Sequence, residues 1–330
     1  MRLGSVDIPI SRLGMGCWAI GGHGWGEVND ADSIQAIRYA LEHGVTLFDT
    51  ADAYGLGKSE SLLASVLGPS RHKVVIASKG GVRWDETGKV WNDSSPSYLR
   101  LALENSLRRL KLDCIPLYYI HKPDGVTPIQ DSVAVLERMR EEGKIVAIGV
   151  SNFTVDQLRE ALKTAPVSAV QVRCNIFDRV AFNACLDICR KHAIAIVAWG
   201  ALADGLLTGK FTKNTTFSDD DHRSRLSEFI GDAYIKNLRS VAWLKTLPVS
   251  RKYGVSQLAL RWVLDYSKMT CALFGAKTDH QVRQNLGADG WHLTLSEMLL
   301  IDVGLLGRQD SNLGMRDPNS RDLPLVDAPI

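Results

Sequence analysis

Four side chains able to handle a proton stand at or just past the ends of three strand-like runs. Asp49 and Tyr54 follow Val45-Thr46-Leu47-Phe48, Lys79 follows Val74-Val75-Ile76-Ala77-Ser78, and His121 follows Leu117-Tyr118-Tyr119-Ile120. In a fold of parallel strands and helices such ends open on one face. A carboxylate, a phenol, an ammonium and an imidazole gathered there can protonate a carbonyl oxygen while a hydride reaches its carbon. Free tyrosine, with a pKa of roughly 10, is a weak proton donor at neutral pH. A Lys79 cation beside it is expected to lower that value, and Asp49 to keep the lysine charged, because a buried ammonium without a partner tends to shed its proton. Tyr54 is then the general acid. His121 adds a second donor that directs the carbonyl and stabilises the developing alkoxide. Each residue alone is more often packing or a solvated ion; the joint spacing, with Asp49 and Tyr54 after one strand and Lys79 and His121 each one βα step further on, is what points to chemistry.

The elements that must hold these residues follow from the hydrophobic pattern. Short β-branched or apolar runs at 13–16, 45–49, 74–78, 115–120, 145–150, 169–172, 195–199 and 271–274 alternate with helical patterns near 31–43, 59–67, 97–110, 129–142, 155–163, 181–192, 255–266 and 279–287. Eight of each, in order, predicts an α/β chain closed into a (β/α)8 TIM barrel, one domain over residues 1–330. Asp30 and Thr154 are expected helix N-caps, Pro128 suits a first helical turn, and Gly44, Gly68 and Gly143 mark helix ends. Residues 2–10 read as a β-hairpin that plugs the N-terminal end of the barrel. The stretch 211–231 carries Asp219-Asp220-Asp221 and little apolar periodicity, which predicts a mobile loop over the site, too poor in apolar groups to pack firmly, followed by an extra helix near 232–246. An extra C-terminal helix and an irregular tail over about 309–330, with Pro318, Pro324 and Pro329, complete the expectation.

The motifs Asp49-Thr50-Ala51-Asp52-Ala53-Tyr54, Ser78-Lys79 and Ile120-His121-Lys122-Pro123-Asp124 resemble those of the aldo-keto reductases, and the likeness runs from about residue 1 to about 308. It implies a nicotinamide cofactor lying across the barrel mouth. The one early glycine-rich segment, Gly21-Gly22-His23-Gly24-Trp25-Gly26, fails as a dinucleotide fingerprint, since Glu27 stands where its last glycine belongs. The resemblance places Ser151, Asn152 and Gln171 at the carboxamide and Trp199 against the nicotinamide ring. It puts Gly16, Cys17 and Trp18 beside the cofactor with Asp49. A covering loop resembles Gly200, Ala201 and Leu202 through Lys210, with Gly205 and Leu207 inside it, and Arg225 is an expected charge partner along with Arg223. Gly275, Ala276, Lys277, Gln281, Gln284 and Asn285 resemble the family's adenosine-phosphate segment. Gln281 stands where an arginine often grips the 2′-phosphate, which leaves Lys277 as its partner, a ligand of lower geometric specificity. NADP(H) is therefore expected in preference to NAD(H). For the substrate, Trp18, Trp25, Tyr54, Trp84, Trp91 and His121 are expected to wall a pocket suited to a sugar, a sugar-like polyol or a small aromatic carbonyl. The Asp219-Asp220-Asp221-His222-Arg223 loop and the Ile120–Asp124 motif look most like the bacterial general and sugar-directed branch.

Composition narrows the partners. A net charge of +2 without a block of five like charges does not suggest nucleic acid or a membrane surface, and there is no run of 18 apolar residues and no signal-like start, so a cytoplasmic protein acting on a small carbonyl or alcohol is expected. The six cysteines show no Cys-x-x-Cys pair and read as reduced thiols. No two histidines sit at ligand spacing beside a strand-end carboxylate, so no metal is expected. Three rival readings stay open: a sugar dehydrogenase working in the reverse direction, a cofactor-binding regulatory subunit, and a class I aldolase using Lys79.

Overall fold

The structure, a computed structural model, describes residues 1–309 apart from 5, 268 and 269. Strands β1 (Leu13–Gly16), β2 (Leu47–Asp49), β3 (Val75–Gly80), β4 (Ile115–Ile120), β5 (Ile145–Ser151), β6 (Ala169–Arg173), β7 (Ala195–Trp199) and β8 (Thr270–Gly275) pair in parallel in chain order, and β8 returns to β1 to close the barrel. Helices α1 (Asp30–Glu42), α2 (Lys58–Leu67), α3 (Pro96–Leu110), α4 (Ile129–Glu141), α5 (Val155–Thr164), α6 (Val180–Lys191), α7 (Val255–Tyr266) and α8 (Asp279–Leu286) surround it. This is the (β/α)8 barrel expected from the eight alternating runs.

The strands are buried on both faces, which explains why they read as continuous apolar runs instead of alternating ones. Side chains such as Leu47, Val75, Leu117 and Val197 fill the interior, while a second apolar layer lies between strands and helices. On β5, a Cβ at Gly149 would meet the Tyr119 ring at 2.2 Å, so only glycine lets that ring lie across the barrel. The hairpin Arg2–Leu3/Val6–Pro9 closes the N-terminal end, with Leu3 and Ile10 buried in the interior layer. Its turn needs Gly4, at φ +56°, where a Cβ would lie 2.1 Å from the Ser168 carbonyl oxygen.

Capping fixes where the helices begin. Thr154 caps α5 with a full capping box to Gln157. α1 is capped by Asn29, whose Oδ1 accepts from the amides of Ala31 and Asp32, and not by Asp30. Asp30 is instead the first helical residue, where its charge suits the helix dipole. Pro128 stands at the cap position of α4, one residue ahead of its first turn.

The additions to the barrel bear on the site. A hairpin, Val82–Trp84 with Val90–Asn92, follows β3 and has no counterpart in the sequence expectation. Extra helices span Gly231–Thr246 and Leu295–Gln309. The irregular tail expected over 309–330 lies, beyond Gln309, outside the described residues. The 211–231 segment departs from its expectation. Phe211, Phe217 and Phe229 pack edge to face with centroids 5.2–5.9 Å apart, and Leu226, Phe229, Asp221 and His222 are buried. Three rings spread over 19 residues give no helical or strand period, yet they form a compact cluster that holds the loop.

Candidate active site

The fully buried Lys79 lies on β3 at the top of the barrel. Its Nζ donates to Asp49 Oδ1 at 2.6 Å, to the Thr50 carbonyl oxygen at 2.9 Å and to the Tyr54 hydroxyl at 3.2 Å. Three donors meet three acceptors, so the ammonium is fully engaged. Asp49 Oδ2 accepts from Gln171 Nε2 at 2.6 Å. Both carboxylate oxygens thus face N–H groups, an arrangement that an ionised carboxylate satisfies. Burial works against the charge on Lys79, but Asp49 and Tyr54 outweigh it and hold the lysine above its ordinary range. Burial likewise pushes the Asp49 carboxyl up, against Lys79 and Gln171, whose donors keep it the lysine's ionic partner.

Tyr54 corrects one expectation. Burial raises its pKa by more than Lys79 lowers it, so the phenol ends above its ordinary value. The lysine acts on Tyr54 in another way: it occupies a lone pair of the oxygen and leaves the O–H to donate into the cavity that Tyr54 lines. The His121 ring meets Tyr54 edge-on, with centroids 5.7 Å apart. Burial first, then Lys79 and Lys122, keep His121 well below the usual histidine range, so the ring is neutral, and its Nδ1 is buried without a hydrogen-bond partner. The loop carrying His121 is held by Asp124, which accepts from Thr127 Oγ1 and from the amides of Thr127, Val126 and Ser94. Burial opposes that charge, yet these bonds bring Asp124 down to about 2. The His121 carbonyl oxygen accepts from Asn152 Nδ2 at 3.1 Å, and Asn152 sits at φ +58°, a left-handed conformation that asparagine tolerates better than most residues.

Above these groups opens a cavity of about 750 Å³. Gly16, Trp18, Trp25, Asp49, Tyr54 and His121 line one side. Ser151, Asn152, Gln171, Trp199, Gly200, Ala201, Leu202, Gly205 and Lys210 follow around the mouth, and Gly275, Ala276, Lys277, Gln281, Gln284 and Asn285 complete the lining, back beside Gly16 and Trp25. Lys277 Nζ donates to the carbonyl oxygens of Trp25 at 2.6 Å and Glu27 at 3.3 Å, while Gln281 Oε1 accepts from the Lys277 amide. The Trp199 indole nitrogen is buried with no partner.

Five expected site residues lie elsewhere. Cys17 is buried beneath the cavity wall, its amide bonded to the Asp49 carbonyl oxygen, and burial pushes its thiol far up. Leu207 faces the outer apolar layer. Arg225 is exposed and donates to the Asp219 carbonyl oxygen, while Arg223, two residues earlier on the same turn, lines the cavity. Trp84 belongs to the hairpin after β3 and lines a separate cavity of about 280 Å³ with Tyr98 and Arg109; Trp91, on the partner strand, is exposed. Conversely, the sequence reading missed Tyr253, Gly254, Val255, Ser256 and Gln257 at the start of α7, whereas Asp204 and Thr208 line the cavity from within the expected covering loop. Gly254, between two helical patterns, was the available signal. All six cysteines are free thiols, no described helix is long and apolar enough to cross a membrane, and the described residues contain no group of three or more potential metal ligands.

A model of the aldo/keto reductase family matches residues 12–302. Aldo-keto reductase YhdN of Bacillus subtilis (strain 168) is 36% identical over 295 residues, 88% of each chain. The NADH-specific methylglyoxal reductase of Escherichia coli (strain K12) is 33% identical over 314 residues, 91% of this chain and 96% of that one. Among solved structures, the glycerol dehydrogenase AKR11B4 from Gluconobacter oxydans superposes with a TM-score of 0.87 at 38% identity, covering 96% of this chain and 97% of that one.

Proposed function

The chain belongs to the aldo/keto reductase family, and on that premise we propose that it reduces a small polar aldehyde or ketone to the alcohol, with NADPH as the preferred hydride source. NAD(P)H-dependent carbonyl reduction is the general activity of the family. The observation that carries the reading is the buried Asp49–Lys79–Tyr54 chain under the cavity, which ends in a phenol O–H free to donate.

The cavity's donor set fits a nicotinamide dinucleotide: an indole at Trp199, hydroxyl and amide groups at Ser151 and Asn152, and cations at Lys210, Arg223 and Lys277. When bound, that cofactor supplies the hydride. Burial and then Arg223 lower the pKa of both Lys210 and Lys277, so the three cations crowd one another, and a phosphate placed among them relieves that repulsion. Tyr54 gives its proton to the carbonyl oxygen, and Lys79 and neutral His121 stabilise the charge that develops there. In the reverse direction Tyr54 accepts the proton, so the same residues serve alcohol oxidation. Lys79 is a poor Schiff-base nucleophile, because all three of its N–H groups are engaged and its charged form is favoured.

For the substrate, removal of Trp84 from the wall leaves Trp18, Trp25, Val82 and Lys122 around Tyr54 and His121. Two indoles with polar groups opposite favour compact hydroxylated or dicarbonyl compounds, up to small sugars, whose C–H faces stack on the rings. Two relatives are named for methylglyoxal and glycerol, small molecules of that kind. A cofactor-absorbance screen over methylglyoxal, glyceraldehyde, dihydroxyacetone, aldoses and aromatic aldehydes should show fastest turnover among the first three. Tight cofactor binding with no turnover of any carbonyl would favour the regulatory-subunit reading instead. Trp84→Ala should leave KM within about twofold of wild type, whereas Trp25→Ala should raise it severalfold; steady-state kinetics on the two variants decide between the walls.

NADPH preference rests on Lys277. Two of its N–H groups hold Trp25 and Glu27 carbonyl oxygens, and the third remains for a 2′-phosphate. Lys277→Ala should therefore weaken both cofactors but NADPH about tenfold more than NADH, read by quenching of tryptophan emission. Equal losses would mean that Lys277 only braces the Trp25 loop.

A further inference from the structure

His222 is buried in the 211–231 segment and does not itself line the cavity, yet it touches what does. Its Nδ1 lies 2.7 Å from the Gly24 carbonyl oxygen, and its Nε2 lies 3.3 Å from Asp204 Oδ1. Its own amide donates to the same Gly24 oxygen at 2.9 Å. A carbonyl and an ionised carboxylate only accept hydrogen bonds, and a neutral imidazole has a single N–H. Both contacts are satisfied only by the imidazolium. Burial works against the charge on Asp204, but the bond to His222 and the nearby Arg173 bring its carboxyl below the ordinary value, so an anion faces the ring.

The surroundings suit a cation. The ring packs against Trp18 and Trp25, with centroids at 4.7 and 4.5 Å. Trp18 in turn stacks on Tyr54 at 6.1 Å with planes inclined by 25°. The charged groups around His222 are Asp204 on the turn after β7, Asp221 with its partner Arg223 on the same segment, and Arg173 of β6, 3.5 Å from Asp204 on its other side. From the loop before α1 the facing groups are uncharged: the two indoles and the Gly24 carbonyl. Asp204 adopts φ +52° beside Ala203 at φ +47°, so the turn that offers its carboxylate is strained.

Resting on the reading of the cavity as a cofactor site, we propose that His222 is a positioning residue. As an imidazolium it clamps the Gly24–Trp25 loop to the Asp204 turn, holds Trp18 and Trp25 in place, and makes cofactor release depend on the charge of this ring. Loss of one proton turns a ring lone pair toward either Gly24 or Asp204 and loosens the clamp, so release quickens as pH rises. Histidine is the side chain whose charge ordinarily changes between about pH 5 and 8.

The test is stopped-flow dissociation of NADH, followed by tryptophan emission, across that range; NADH avoids the titration of a 2′-phosphate. The wild-type rate should rise about tenfold from acid to alkaline pH, as expected for loss of a charge-assisted hydrogen bond. His222→Gln, which keeps one donor and cannot titrate, should give an intermediate rate without slope. His222→Phe, which keeps the ring packing without a donor, should be fast throughout. A flat wild-type profile, or a slope retained in His222→Gln, overturns the proposal. The same titration appears in the tryptophan emission of the cofactor-free protein and vanishes in His222→Gln. If that emission transition is present while no dinucleotide binds, the clamp stands and the cofactor reading fails; if dinucleotide binds and the transition is absent, the clamp fails alone.

Discussion

Tyr54→Phe should lower kcat by about 10²–10⁴-fold, the usual contribution of a general acid, while cofactor affinity stays nearly unchanged. The substitution is narrow. The phenyl ring keeps its stacking on Trp18 and its edge contact with His121, and only the hydroxyl that accepts from Lys79 is lost. A group that acts only as the proton moves should affect kcat and kcat/KM alike and leave binding alone. The pH profile carries a second sign. Burial holds the phenol above its ordinary value, so it is protonated throughout the neutral range. Carbonyl reduction should therefore run flat through neutrality and fall only at alkaline pH, and alcohol oxidation should gain where reduction fades. Steady-state kinetics in both directions, with a fluorescence titration of the cofactor, measure this. Wild-type turnover in Tyr54→Phe would remove Tyr54 from the chemistry.

How much of this was legible in the sequence depends on how local the cause is. The barrel was readable because strands buried on both faces must be apolar throughout, and helices between them must carry one apolar stripe. The placing of Asp49, Tyr54, Lys79 and His121 was readable for the same reason, since a strand's C-terminal end has only one face to open on. Residues fixed by turns and insertions were not. Trp84 reads as a site tryptophan after β3, but the unforeseen Val82–Trp84 hairpin carries it to another cavity. Arg223 and Arg225 are equivalent in sequence, and the short helical turn capped by Asp221 sends one inward and the other to solvent. Asn29 and Asp30 are both good caps, and a one-residue register chooses between them. The 211–231 loop seemed loose because Phe211, Phe217 and Phe229 meet only in three dimensions. The pKa of Tyr54 went the other way from expectation because desolvation, a property of the whole fold, exceeds the one neighbour visible in the sequence.

Lys79→Met is expected to cost both activity and stability, for separable reasons. Removing the ammonium leaves Asp49 buried with Gln171 as its remaining side-chain partner, and an orphaned buried charge destabilises by roughly 3–5 kcal/mol. It also takes away the donor on the Tyr54 oxygen and the cation that stabilises the phenolate and the developing alkoxide, so kcat should fall at least as far as in Tyr54→Phe. The stability deficit has a pH sign. Burial already pushes the Asp49 carboxyl up, and without Lys79 nothing cationic opposes it. A group whose folded pKa is raised stabilises the fold below that pKa and loses the contribution as pH climbs through it. The deficit of Lys79→Met should thus be largest at neutral pH and shrink as the solution is acidified and Asp49 takes up a proton. Asp49→Asn added to Lys79→Met removes the orphaned charge and should restore much of the stability, about 2 kcal/mol or more, but none of the turnover. Denaturant unfolding at several pH values, paired with kcat for each variant, separates the two effects. A single variant as stable as wild type would mean that the pair is not an ion pair at all, and a double variant that regains activity would mean that the lysine's charge has no part in the chemistry.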